Sequence, residues 1–212
     1  MTCPRCMKIQ ELCFCDSIRK IENHVQVVIL QHPQEPDKHL GTAKLAELGL
    51  TRAKLRIGLS WPNLKKAVDD PEARNENWAV LYLGSGIKNP KDIPVETQGV
   101  LLVDKKGSYH RELQKKLSEI RGLLILDGTW SQAKALWWRN PWLLKLNRLI
   151  LAPQQPSLYK ELRREPRREC LSTIEAIGEA LSGLEDNRAL RDHLNFIFQE
   201  LLKRYRQVRP KA

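Results

Sequence analysis

Short apolar runs alternate along this chain with segments whose apolar residues recur three or four positions apart. The runs have the length of buried strands, whereas the intervening segments have the spacing of amphipathic helices. The pattern predicts strands over residues 25–31, 55–59, 79–83, 100–104, 123–126 and 146–151. The last helix is predicted to begin near Arg188 and to pack its apolar stripe on the sheet.

Alternation of strands with helices predicts an α/β fold with a mostly parallel sheet flanked by helices. We divide the chain into an N-terminal extension over residues 1–20 and one main domain over residues 21–212. Neither an apolar run of the ~20 residues that span a bilayer nor the apolar core of a signal peptide is present. The sequence therefore predicts a cytoplasmic protein.

The most informative stretch begins with the aliphatic strand over residues 123–126, which stops at Asp127 and a glycine. Thr129 and, three positions later, Gln132 fit a capping box, so a helix is predicted to begin at Trp130. Ser172 and Glu175 form a second capping box, which predicts another helix start. Asp127 then lies at the carboxyl end of a strand, where open α/β sheets bind ligands.

Polar or glycine residues also follow the other predicted strands. His32 follows the first strand and is either a structural hydrogen-bonding residue or part of the site. Gly84 follows Leu83 and permits close approach of a ligand to the backbone, although such a glycine also suits a turn. Asp104 ends a further strand. Neither a dinucleotide-binding nor a P-loop motif occurs, so those two classes are excluded at the motif level.

Four of the five cysteines lie within the first fifteen residues: Cys3, Cys6, Cys13 and Cys15. Two thiolate pairs separated by a short loop suit a tetrahedral Zn²⁺ ion, and the alternative is a reduced, thiol-rich tail. Four thiolates leave no open coordination position, so the predicted zinc site is structural.

The chain carries 36 Lys and Arg residues against 25 Asp and Glu residues, a formal charge of +11. This excess favours polyanionic partners, with nucleic acid ahead of acidic membrane surfaces. Residues 159–168 hold five cations and two acids. Tyr159, Arg163 and Arg164 in this stretch suit base stacking and phosphate contact, or else form a solvated loop.

The motif Asp127-Gly128-Thr129-Trp130 resembles the D-x-T-W signature of the DTW-domain family, and other short motifs occur in that family's order. The chain departs from the pattern at Gly41 and Leu83, where many members have Asn and Pro. The N-terminal cysteine pairs resemble those of the family's bacterial branch. The remaining matching motifs are His32-Pro33-x-Glu35, Thr42 before a helix, Leu81-Tyr82, Gln132-Ala133, Pro141-Trp142-Leu143, Ser157 with Tyr159, and Leu171-Ser172-Thr173-x-Glu175-Ala176.

The resemblance implies a SPOUT-like fold whose C-terminal part forms a knotted pocket for S-adenosylmethionine. It also implies transfer of the cofactor's 3-amino-3-carboxypropyl group to N3 of a uridine in tRNA, with release of 5′-methylthioadenosine. We expect a monomer. The assigned residues are Asp127, Thr129 and Trp130 for catalysis; Leu83, Gly84, Asp104, Leu126, Ser172, Thr173 and Glu175 for the cofactor; and His32, Tyr159, Arg163 and Arg164 for RNA.

Some roles stay open at this level. Asp127 is either the general base that removes the N3 proton, a ligand of the cofactor's amino group, or an anchor of the Thr129 turn. Trp130 either stacks on a base or belongs to the core, and Trp137 is assigned to the core. The competing functions are a SPOUT-type RNA methyltransferase and a non-catalytic, zinc-containing RNA-binding module.

Overall fold

The computed structural model describes residues 2–35, 40–81, 99–151, 157–158 and 171–208. Six strands form one sheet in the order β2-β1-β5-β3-β6-β4. Five of them are parallel and β4 is antiparallel to β6, which confirms the predicted α/β class and mostly parallel sheet. The strands are β1 (Gln26–Gln31), β2 (Ala53–Ile57), β3 (Trp78–Leu81), β4 (Val100–Val103), β5 (Gly122–Asp127) and β6 (Asn147–Leu151).

The helices flank the sheet, and two of them begin at the predicted capping boxes. Thr129 caps the helix that follows β5, and Ser172 caps the next one, each with reciprocal bonds to the residue three positions later. The helices are α1 (Ala43–Gly49), α2 (Leu64–Val68), α3 (Arg111–Gln114), α4 (Trp130–Arg139), α5 (Thr173–Leu184) and α6 (Arg188–Val208).

Two hydrophobic layers lie on opposite faces of the sheet. Val27 and Ile29 of β1 belong to the layer shared with α1, α5 and α6, whereas Val28 and Leu30 belong to the layer shared with α2 and α4. The all-buried pattern of these strands follows from cover on both faces. Among the described residues, no helix has the length and apolar character needed to cross a bilayer.

The position of α6 differs from the sequence-based prediction. Its apolar stripe packs mainly on α5 and α1, which themselves cover that face of the sheet. A stripe pattern shows that a helix is buried on one side, but it does not show which element covers it. The helix is therefore an outer layer, and the prediction that it packs on the sheet is wrong.

The direction of β4 also differs from the simple parallel arrangement. Val100 pairs with Leu151 at the end of β6, and Val103 pairs with Arg148 near its beginning. The residue that follows β4 therefore lies at the opposite edge of the sheet from the residues that follow β1 and β5.

The central strands β1 and β5 are neighbours, and the chain leaves them on opposite faces. After β1 it passes through α1 to β2 on one side, and after β5 it passes through α4 toward β6 on the other. An open α/β sheet with such a reversal of strand order usually binds its ligand outside the carboxyl ends of the two strands, and we call this region the crevice.

The N-terminal cysteine segment is packed into the main core. Cys6, Leu12, Phe14 and Cys15 are buried in the layer that contains α5 and α6. The Arg204 Nη1 atom of α6 donates to the Cys13 carbonyl at 2.7 Å, and its guanidinium lies over the Phe14 ring. The segment is therefore an integral part of the folded unit.

Candidate active site

The crevice between β1 and β5 contains a buried acid–amide pair. Gln31 and Asp127 end their strands side by side as register partners. The Gln31 Nε2 atom donates to Asp127 Oδ2 at 2.7 Å, and the Thr173 hydroxyl donates to Asp127 Oδ1. These two bonds hold the side chain of Asp127 in one orientation, and only 8% of the residue is exposed.

Two helix beginnings meet beside this carboxylate. Thr173 is the first residue of α5, and the Ile174 amide donates to the Thr42 hydroxyl at 3.2 Å, immediately before α1. The free amides and dipole of a helix beginning favour negative groups. The start of α5 can therefore stabilise an ionised Asp127 or an anionic group of a ligand.

A buried lysine that the sequence did not single out lies close enough to Asp127 for the two charges to interact. Lys8 is only 3% exposed, and its ammonium interacts electrostatically with Asp127. Burial lowers the pKa of Lys8 to about 8, while the charges of Cys6 and Asp127 act in the opposite direction. Lys8 lies between the two cysteine pairs, where a lysine usually indicates an exposed loop, so no sequence signal pointed to its burial.

Glu175 has a supporting position rather than one facing the crevice. Its Oε2 atom accepts from the Ser157 hydroxyl at 2.8 Å and from the Ser172 amide and hydroxyl at 2.8 and 2.6 Å. Its Oε1 atom accepts from the Leu158 amide at 2.6 Å. Three donors thus bond Oε2 and one bonds Oε1, so neighbouring groups of the protein hold this carboxylate in place. Glu175 and Ser172 therefore fix the start of α5 and anchor residues 157–158.

The D-x-T-W turn connects Asp127 to α4. The His32 amide donates to the Asp127 carbonyl at 3.0 Å, which places His32 against this turn. The Thr129 amide donates to Gln132 Oε1 at 2.7 Å, completing the capping box. Trp130 begins α4 and is 41% exposed, so it is not a core residue, whereas Trp137 packs against the α2 and α4 layer as predicted.

We expect a Gly128→Ala substitution to destabilise the protein because φ at Gly128 is +155° and an added Cβ would lie 2.8 Å from the Gln132 Cβ atom. The clash would displace the Gln132 side chain and break the capping box. The expected loss is about 2–4 kcal/mol in the free energy of unfolding, measured by urea denaturation.

Gly107→Ala is the matched control for this prediction. Gly107 also has a positive φ, +78°, but an added Cβ would meet nothing within 4 Å. Its expected cost is about 1 kcal/mol from backbone strain alone. Equal costs for the two variants would show that the contact with Gln132 has no energetic importance.

Two of the expected cofactor residues lie away from the crevice. Asp104 follows the antiparallel β4 and lies at the opposite edge of the sheet, where it accepts from the amides of Lys106 and Ser108 at 2.8 Å each and from His110 at 3.1 Å. The Ser108 amide is the main reason that the pKa of Asp104 is lowered to about 2. The Leu126 side chain is buried in the α2 and α4 layer, on the other face of β5 from Asp127. The assigned residues Leu83, Gly84, Tyr159, Arg163 and Arg164 lie outside the described residues.

The four N-terminal cysteines form a cluster that fits a metal ion. Their Sγ atoms all lie within 4.8 Å of one another, and those of Cys3 and Cys15 are 3.8 Å apart. Sulfur atoms at ~2.3 Å from a tetrahedral Zn²⁺ ion are about 3.8 Å apart. Burial raises the pKa of Cys6 and Cys15, so a cation would offset the cost of their thiolate forms.

This chain forms an open, doubly wound α/β sheet with a buried acid–amide pair at its switch point. Proteins of this class bind ligands at the carboxyl ends of their strands. The DTW domain matches residues 1–206, and the chain belongs to the DTW domain family. The matched range includes the cysteine segment together with the D-x-T-W turn. The resemblance read from the sequence motifs is thus confirmed.

Three curated relatives cover 91% of this chain. This chain is 30% identical over 196 residues to tRNA-uridine aminocarboxypropyltransferase 2 of Drosophila melanogaster, and the match spans 70% of that protein. Identity to the proteins of the same name is 28% over 196 residues in Macaca fascicularis and 27% over 200 residues in Mus musculus, where the chain spans 59% of each relative. No solved structure matches the chain significantly.

Proposed function

We propose that this protein is a tRNA-modifying transferase that moves the 3-amino-3-carboxypropyl group of S-adenosylmethionine to N3 of a uridine in tRNA. Family membership, the names of the relatives and the basic charge of the chain support this function. The observation that carries the proposal is the buried Asp127 carboxylate, fixed by Gln31 and Thr173 at the switch point of the sheet.

The reaction requires a base because N3 of uracil bears a proton and is a poor nucleophile until that proton is removed. Asp127 is our candidate for the general base. N3 would then form a bond with the Cγ atom of the methionine part of S-adenosylmethionine, and the bond between this carbon and sulfur would break. The electron pair of the breaking carbon–sulfur bond would remain on sulfur and neutralise the sulfonium. Uncharged 5′-methylthioadenosine would then leave, and the N3 proton would reside on Asp127.

The hydrogen bonds around Asp127 suit this task. Each carboxylate oxygen has two acceptor positions, and Gln31 and Thr173 together occupy one on each oxygen. The remaining positions can take the uridine proton or, in the alternative role, the amino group of the donor. The Lys8 ammonium compensates the carboxylate charge in a region with little water.

The remaining parts of the assignment follow from this chemistry. The Thr173 amide at the start of α5 suits the carboxylate or ribose of the donor, and Thr129 positions Trp130 at the crevice. We also propose that Leu83 and Gly84 contact the donor and that His32, Tyr159, Arg163 and Arg164 contact tRNA. A knotted, SPOUT-like C-terminal part, a structural zinc ion in the extension over residues 1–20, and a monomeric state complete the proposal.

The products of the reaction test the proposal. Purified protein is incubated with unmodified tRNA and S-adenosylmethionine labelled with ¹³C in the aminocarboxypropyl chain, and nucleosides and small molecules are analysed by mass spectrometry. We expect a uridine adduct that carries the label, together with an equal amount of 5′-methylthioadenosine. A methylated nucleoside with S-adenosylhomocysteine would identify a methyltransferase instead, and no turnover would favour an RNA-binding module.

A further inference from the structure

The solvent face of α4 carries two exposed tryptophans. Trp138 is 78% exposed and Trp130 is 41% exposed. Lys134 is also exposed and lies four residues from each of them. At 3.6 residues per turn the three positions fall within an arc of about 80°, and the two tryptophans are about 12 Å apart along the axis. We call Trp130, Lys134 and Trp138 the α4 stripe.

The stripe is turned by about a quarter of a turn from the side of α4 that builds the core. Ala133 and Leu136 are buried against the sheet, and Trp137 packs beside them. Trp138 is therefore not needed to hold α4 in place. Two large rings exposed along one side of a helix, in contrast to a single scattered one, indicate a surface that receives a partner.

Charge and position point to the kind of partner. Residues 130–145, which cover α4 and the turn after it, include Lys134, Arg139 and Lys145 but no acid. The stripe begins at the D-x-T-W turn, directly after Asp127, and so continues from the crevice. Indole rings stack on unpaired bases, and intervening cations contact phosphates.

We propose that the α4 stripe binds single-stranded nucleotides of the tRNA next to the modified uridine, with one base stacked on Trp138 and a phosphate near Lys134. The inference rests on the proposed function and adds a binding surface to it. The rise of about 12 Å along the helix between positions 130 and 138 corresponds to roughly three to four stacked nucleotides at about 3.4 Å each. Trp130 then lies at the crevice end of the bound strand and Trp138 at its far end.

Binding of defined RNA probes to the full chain tests the inference. Fluorescence anisotropy measures the affinity for a labelled twelve-nucleotide oligouridylate and for a duplex RNA of equal length. We expect Trp138→Ala to weaken binding of the single strand by roughly 5- to 100-fold, with a smaller effect on the duplex. Trp138→Phe, which keeps an aromatic face, should retain most of the affinity.

Two further variants separate stacking from charge and from general exposure. Lys134→Gln should reduce the slope of log affinity against log salt by about 0.7, the value for one phosphate contact on a single strand. Phe196→Ala is the matched control, because Phe196 is 56% exposed on α6, on the opposite face of the sheet. Its affinity for the oligouridylate should equal that of the unaltered protein.

Unchanged affinity of Trp138→Ala with retained thermal stability would overturn the inference. A dimer of the unaltered protein in light scattering that becomes monomeric in Trp138→Ala would also overturn it and would make the stripe an interface between copies. The proposed function is judged separately from the labelled products of the unaltered protein. If Trp138→Ala loses RNA affinity and the unaltered protein gives no transfer product, the results would support RNA binding by the stripe and contradict the proposed function.

Discussion

The Asp127→Asn variant is expected to fold normally and to lose transfer activity by about 10²- to 10⁴-fold, the range for removal of a general base. Asn has the same shape, and its carbonyl oxygen can accept from Thr173. The Gln31 amide can turn to present its oxygen to the new NH₂ group, so neither bond to Asp127 need be lost. Release of 5′-methylthioadenosine in a single turnover, at saturating tRNA and donor, measures the effect.

Separate binding measurements distinguish the roles considered for Asp127. A base contributes to the rate constant of the chemical step, whereas a ligand of the donor's amino group contributes to donor affinity. If Asp127 is the base, calorimetry should show that the Asp127→Asn variant binds S-adenosylmethionine with nearly the same affinity as the unaltered protein. Strongly weakened donor binding with a normal rate at saturation would assign Asp127 to the amino group. Near-normal transfer under all conditions would remove Asp127 from the mechanism.

Thr173→Val is the matched control for the orientation of the carboxylate. Valine retains the shape of threonine but cannot donate to Asp127 Oδ1. Loss of one hydrogen bond to a charged group corresponds to about 1.5–3 kcal/mol, or roughly 10- to 150-fold if it is expressed in the rate. An effect as large as that of Asp127→Asn would indicate that Thr173 contacts the reactants itself.

Removal of one of the four clustered cysteines, the proposed zinc ligands, is the second large expected effect. We expect Cys15→Ser to release the metal and to lower the free energy of unfolding by about 3–5 kcal/mol, because a structural metal contributes directly to folding. Cys15 is buried in the same hydrophobic layer as α5 and α6, so the loss reaches the main core. Urea denaturation and metal analysis of the purified protein provide the two measurements.

The structure changes the expected effect of this variant on catalysis. A purely structural zinc site, as predicted from the sequence, would stabilise the fold without taking part in the chemistry. Lys8 lies between Cys6 and Cys13, is buried and interacts with Asp127. Displacement of this segment should therefore also reduce transfer, even at temperatures where most of the chain is folded.

Arg5→Gln is the control in the same segment. Its exposed ion pair with Asp16, at 3.1 Å, contributes less than about 1 kcal/mol. This variant should keep its metal, stability and activity. Absence of zinc from the unaltered protein, purified without chelators, would refute the metal assignment. Full activity of a metal-free Cys15→Ser protein would show that the cysteine segment has no part in the chemistry.

The most successful sequence-based predictions concern interactions between residues that are close in the chain. Both capping boxes, at Thr129 and Ser172, depend on bonds that span three residues. The end of β5 at Asp127 follows from an apolar run that stops at a charge. The clustering of the four cysteines is also largely local, because all four lie within the first fifteen residues and only short loops separate them.

Predictions that required knowledge of the neighbours of an element were less successful. Asp104 also follows an apolar strand, yet β4 is antiparallel and carries it to the opposite edge of the sheet. Gln31 follows no recognised motif, but strand register places it beside Asp127. Lys8 looked like a loop residue and is buried against the site. No local pattern states the direction of a strand or the identity of the segment that covers it.

The sequence by itself determined the alternation of strands and helices, the helix beginnings and the acid at the end of β5, because each depends on periodicity or on bonds within one turn. Only the tertiary structure decided which groups surround that acid. Gln31 and Thr173 come from distant segments and bond to Asp127 because β1 pairs with β5 and α5 begins beside the end of β5, and the Asp127 charge raises the pKa of the buried Lys8 in the cysteine segment. Such a meeting depends on long-range pairing and burial, which a local pattern does not encode.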